Sequence, residues 1–180
     1  MQNPGWFLST SPKVRYSTGA LAYFAQGIPM GLLHIALPAW LAVEGVSAAE
    51  IAAFLGIIML PWAFKLLVGP LMDHFEFLPM GKRRPWVIGM QLGMVLSLLA
   101  LMVIEDPVAQ IGLLTAISFM INAFTASQDV AVDGMSIDLV PIEEEGRLNA
   151  FMSFGKTIGW AITSAVTGTM LVVFGMKLTA

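Results

Sequence analysis

Cysteine is absent from this 180-residue chain. That excludes a disulfide-stapled scaffold, a thiolate metal site and a cysteine nucleophile. Charge is scarce: 12% of residues are Asp, Glu, Lys or Arg, about half the roughly 25% of an average soluble chain. Bases are outnumbered by acids, nine to twelve, so the basic excess of a nucleic-acid binder is missing. Polar low-complexity runs are missing too, which excludes a disordered chain. What is there is apolar: 57% hydrophobic residues and a mean hydropathy of +0.80. A small globule cannot hide that much apolar surface. The chain reads as an all-α integral membrane protein whose first partner is the lipid bilayer.

Crossing a hydrocarbon core about 30 Å thick takes roughly 20 apolar residues in helix. About five stretches qualify: 18–43, 48–71, 86–104, 108–128 and 150–176. None alternates as a strand would. The first carries no formal charge but holds Gly27, Pro29, Gly31 and Pro38. Neighbouring membrane helices can re-satisfy the backbone groups that such residues free. The expected layout is a tail over 1–17, a helical transmembrane domain over 18–176 and a short end at 177–180. The tail is polar, with no apolar run before a small-residue cleavage site, so no signal peptide is expected.

Orientation follows from Lys and Arg in short connections. Lys13 and Arg15 precede the first span; Lys82, Arg83 and Arg84 separate the second from the third; Arg147 follows the fourth. The other two connections carry only Glu44, Glu50, Glu105 and Asp106. The N-terminus and the loops 72–85 and 129–149 are therefore expected in the cytoplasm. Trp40 and Trp86 then fall near the outer and inner interfaces, as an aromatic belt requires. With neither signal peptide nor cysteine, a bacterial inner membrane is the expected location.

Ionisable residues inside spans are functional candidates by default. Lys65 lies eight residues before Asp73, about 12 Å along a helix. It either snorkels to the headgroups or faces the bundle and takes a carboxylate or an anionic solute. Trp62 sits one turn earlier on the same side. Asp129 and Asp133 share a helix face, which Asn122 and Thr125 extend inward. They are either a hydrated helix end or the lining of a path on which an Asp exchanges a proton. His34, central in the first span, is either a packing residue or part of a proton or solute path. Lys156 marks the boundary of the fifth span or meets the solute. The acidic run Glu143–Glu145 reads as a solvated loop, or as one paired with Lys82, Arg83 or Arg84. Gly155 and Gly159 form a G-x-x-x-G that permits close helix contact. No cofactor and no metal is expected, since no three oxygen ligands converge and the Met residues are most simply packing.

Leu60-Pro61-Trp62-Ala63-Phe64-Lys65, Gly69-Pro70-Leu71-Met72-Asp73 and Gly81-Lys82-Arg83-Arg84-Pro85-Trp86 resemble the second-to-third helix region of the major facilitator superfamily. Ala126-Ser127-Gln128-Asp129-Val130-Ala131-Val132-Asp133-Gly134 is similar to a fourth-helix motif of its peptide/acetyl-coenzyme A transporter branch, which includes AmpG-type muropeptide permeases. Gly81 follows Asp73 at a longer spacing than is usual in the superfamily, a feature this branch shares. The resemblance implies two six-helix halves, of which this chain is an incomplete N-terminal fragment with the C-terminal half missing. It implies secondary transport by alternating access, with a polar or anionic small-molecule substrate held near the midplane. By resemblance, Gly69, Asp73, Gly81, Lys82, Arg83 and Arg84 form a cytoplasmic gating motif. Lys65, Asp129 and Asp133 match motif positions in type. Their place on a substrate or proton path, with His34, Asn122 and Lys156, rests on residue chemistry. Proton symport is one expected coupling; facilitated exchange is another.

Two other classes stand beside transport. Asp129-x-x-x-Asp133 could hold Mg²⁺ against a diphosphate, as in membrane prenyltransferases. A second acidic motif of that spacing is missing, however, and no H-E-x-x-H, G-x-S-x-G or P-loop occurs. An enzyme is therefore not expected. A non-transporting accessory or truncated membrane protein would keep the packing glycines and need no functional Lys65.

Overall fold

The computed structural model of the chain describes residues 11–75 and 82–174. Gly81 of the expected gating motif lies outside the described residues, as do the segments 1–10, 76–80 and 175–180. Helix α1 (Pro12–Gly31) opens on a proline, which is tolerated in a first turn because no N–H bond is lost there. Pro38 then has no N–H for the carbonyl of His34. The chain widens into a π-helical segment, Leu32–Ala36, where the Leu37 N–H reaches the Leu32 carbonyl. Helix α2 (Leu37–Val43) completes a continuous run of 32 residues. Gly45 stops it at φ +86°. The Gly45 N–H bonds the Ala42 carbonyl and the Val46 N–H the Leu41 carbonyl, a closure that requires a left-handed residue.

Ser47 and Glu50 form a reciprocal cap that starts α3 (Ala48–His74). Helix α4 (Arg84–Ala100) ends in a 3-10 turn at Leu101–Val103. Helices α5 (Ile111–Leu139) and α6 (Ile142–Phe174) follow. Among the described residues, four helices are long and apolar enough to cross a membrane: α1 with α2, α3, α4 with its turn, and α5. Helix α6 is longer still, at 33 residues.

The expected loop over 129–149 is helical instead. Helix α5 continues through Asp133 to Leu139, and α6 begins at Ile142. The first strong breaker is Pro141, and it holds Val140 extended (φ −108°, ψ 129°). Glu143–Glu145 and Arg147 therefore stand on the first turns of a helix. Helix α1 likewise begins at Pro12, within the stretch read as a tail.

Helices α1 and α6 run parallel and pack closely. Glycine permits it. A Cβ on Gly155 or Gly159 would strike the carbonyl of Ala20 or Phe24. One on Gly27 would strike the Lys156 carbonyl, and one on Gly31 would lie 2.6 Å from the Trp160 carbonyl. The G-x-x-x-G of α6 thus lies against α1, where Gly159 meets Gly27 of a second such pair. Helix α5 is central to the remainder and packs on α3, α4 and α1.

Among the described residues the apolar core forms two clusters, one around Leu37, Phe54, Leu101 and Leu114, the other around Val132, Leu148 and Met152. Trp40, expected at the outer interface, is instead 7% exposed and belongs to the first cluster. Helix α2 turns that side chain inward, onto the bundle. Outward faces are apolar: Leu21, Leu66, Leu67, Val103 and Ile137 are all widely exposed. Such a surface is a liability in water and the normal exterior in hydrocarbon. The chain is a multi-pass membrane protein.

Candidate functional site

Charge is concentrated where α1, α3, α5 and α6 converge. Asp129 of α5 is 4% exposed. Its Oδ2 accepts a hydrogen bond from Lys65 Nζ of α3 at 3.0 Å. Its Oδ1 lies 3.5 Å from Lys156 Nζ of α6. The Trp62 ring centre is 5.6 Å from Lys65 Nζ and 5.0 Å from Lys156 Nζ, within cation–π range of both. The Trp62 indole N–H donates to Asn122 Oδ1 at 3.0 Å, and the Asn122 amide donates to the Ser118 carbonyl. Asn122 therefore fixes the ring against which both lysines rest.

Tyr23 brings in α1. Its ring centre lies 5.3 Å from Lys156 Nζ, and its hydroxyl donates to Asp133 Oδ1. Beside that bond a cavity of about 360 Å³ opens, bounded by α1, α5 and α6.

Of the expected path residues, Lys65, Asp129 and Lys156 are brought together, with Asp133 and Asn122 one contact away through Tyr23 and Trp62. Lys65 turns into the bundle rather than along it toward the headgroups. Lys156 does more than mark a boundary. His34 stands apart on the π-helical segment, about 16 Å along the helix from Tyr23, and its buried Nε2 has no hydrogen-bond partner among the described residues. Among the described residues, no group of three His, Asp or Glu could hold a metal ion.

A second charged group ties α3, α4 and α5 together. Arg83 Nη2 lies 2.5 Å from Asp73 Oδ1, and Arg83 Nε donates to Asp138 Oδ2 at 3.4 Å. Gly134 makes room for the guanidinium, since a Cβ there would sit 2.7 Å from Arg83 Cζ. Gly69 is in ordinary contact range of Val130, and Lys82 and Arg84 are exposed. A third pair joins α1 to α6: Arg15, 6% exposed, makes three hydrogen bonds of 2.7 to 2.9 Å to Glu144. The pairing read for the acidic run, with Lys82, Arg83 or Arg84, is corrected to Arg15 for Glu144. Because α1 and α6 run parallel, their first turns are neighbours.

The residues that sequence reasoning missed are Tyr23, Arg15 and Asp138. Tyr23 had a signal, as one of only two tyrosines and a phenol inside an uncharged span. Arg15 and Asp138 gave none once their segments were read as tail and loop.

The cluster sets one carboxylate against two ammonium groups. Losing one partner of a buried pair costs about 3–5 kcal/mol. Asp129 must therefore keep its lysines or be neutralised when they leave.

The chain is 30% identical to the anhydromuropeptide permease of Escherichia coli K12 over 143 residues, 79% of this chain and 29% of that protein. It is 32% identical to an uncharacterized protein of Haemophilus influenzae over 145 residues, 78% of this chain and 34% of the relative. Similarity of 32% over 143 residues extends to a Rickettsia felis protein that bears the AmpG name, covering 78% of this chain and 34% of that one. The chain thus spans about a third of the length of these relatives. Two of the three carry the name of a permease or a putative transporter. The family model of the major facilitator superfamily matches residues 19–180, and the chain belongs to that superfamily.

Proposed function

We propose that this chain forms the first five spans of a longer secondary transporter, with α6 as the fifth, and that the carrier moves a polar, anionic solute by alternating access. The missing part supplies the facing half. The observation that carries the reading is Asp129, buried between Lys65 and Lys156. In the resting state Asp129 stands in for the solute's anionic group. An arriving anion takes the two ammonium groups. Asp129, buried without a counter-charge, then binds a proton, because an unpaired ion is far costlier there than a neutral acid. Solute and proton cross together. The Asp73–Arg83–Asp138 group closes one face of the bundle and opens as the halves rock.

Arg and Lys bias supports a cytoplasmic N-terminus, and the bacterial relatives support an inner membrane. The name of the permease supports a muropeptide-like solute. The test is uptake into vesicles that hold the full-length carrier, with a muropeptide and acetyl-coenzyme A as candidate anions. Lys65→Gln is expected to lower uptake of the transported anion at least roughly tenfold, the loss of about 1.4 kcal/mol of binding. Full uptake of every candidate anion by Lys65→Gln would overturn the proposal.

A further inference from the structure

We infer that the cavity beside Asp133 receives an organic ammonium group, so that the solute is dipolar rather than simply anionic. This rests on the anion-site reading above. At about 360 Å³ the cavity falls within the size range of small-molecule sites. Its polar lining is Tyr23, Asp133, Ser136, Glu145, Asn149 and Ser153. Two of these are carboxylates, and among the described residues no Lys or Arg lines the cavity.

Two of its hydroxyl protons are already committed. Tyr23 donates to Asp133, and Ser136 donates to the Val132 carbonyl at 2.9 Å. What both oxygens then offer the cavity is lone pairs. An ammonium has three donors and no acceptor, so it matches these lone pairs and the two carboxylates beside them. A carboxylate in the same place would meet two like charges.

Tyr23 joins this cavity to the lysine cluster. Its hydroxyl is held on the acidic side while its ring faces Lys156. Opposite charges therefore flank one phenol: a net positive Lys65–Asp129–Lys156 group and an acidic cavity. A solute with its carboxylate on the lysines and its ammonium in the cavity satisfies both. A simple dianion satisfies only the first.

The test is isothermal titration of the full-length protein in detergent with L-alanyl-L-glutamate and with its N-acetyl derivative. The free-amine peptide is expected to bind roughly tenfold tighter. Glu145 is exposed on an early turn of α6, so Glu145→Gln and Glu145→Lys leave the fold intact. The first is expected to cut the preference to about threefold, and the second to abolish it. Equal wild-type affinities, or a preference that survives Glu145→Lys, would overturn the inference. Lys65-dependent binding without amine preference would overturn it alone and leave the anion site standing. Binding of neither peptide would overturn both.

Discussion

Asp129→Asn is expected to destabilise the protein by about 3 kcal/mol, the lower end for breaking a buried ion pair. The lower end applies because both lysines keep some contact with solvent, at 35% and 24% side-chain exposure. The change leaves two ammonium groups sharing one aromatic face without the carboxylate they contact directly, Asp133 beyond Tyr23 being the nearest remaining acid. Adding Lys65→Met and Lys156→Met to Asp129→Asn is expected to recover most of the loss, since neutralising all three charges removes the unpaired ones. Such non-additivity is the signature of direct coupling. The measurement is unfolding in micelles, compared across single and triple variants. A change within about 0.5 kcal/mol, the usual range of surface substitutions, would show that Asp129 is not the lysines' partner.

Gly159→Ala is expected to cost about 3 kcal/mol, the upper end of overpacking. The added methyl would meet the backbone carbonyl of Phe24 rather than a side chain that can swing aside. Relief requires α1 and α6 to separate, and that separation acts on the site. Lys156 lies one turn from Gly159, and its own carbonyl abuts Gly27. The variant is therefore expected to lose anion uptake as well as stability. Gly168→Ala, on the same helix with nothing within 4 Å of its Cβ position, is the control. It is expected to stabilise α6 by about 0.5–1 kcal/mol through helix propensity. Equal effects of the two substitutions, read as shifts in unfolding midpoint, would contradict the role of the α1–α6 contact.

Much of this was legible in the sequence because membrane insertion constrains it so strongly. Lys65 stands out in an apolar stretch, and a charge there must have a partner. Asp129 stands on the face that Asn122 and Thr125 continue inward, so it too was legible. That the two meet each other was not. Pairing depends on how α3 and α5 pack, and no single-helix periodicity reports that. Helix ends were harder still. Acidic residues and a glycine after Asp133 looked like a loop, yet one interior glycine does not stop a packed helix, and Pro141 did. That error hid Asp138 as a partner of Arg83 and Glu144 as a partner of Arg15. Trp40 misled for a related reason. A tryptophan near a span end suits an interface, but the inward face of α2 buries it.

The central claim is that Asp129 occupies the lysines in place of the solute's anion. Equilibrium binding of the transported anion to Asp129→Asn and to the wild-type carrier tests it most directly. Removing an internal competitor predicts tighter binding in the variant, by roughly tenfold, together with loss of proton-coupled uptake. Unchanged or weaker binding would contradict the claim, and would leave Lys65 and Lys156 as structural counter-charges to Asp129 alone.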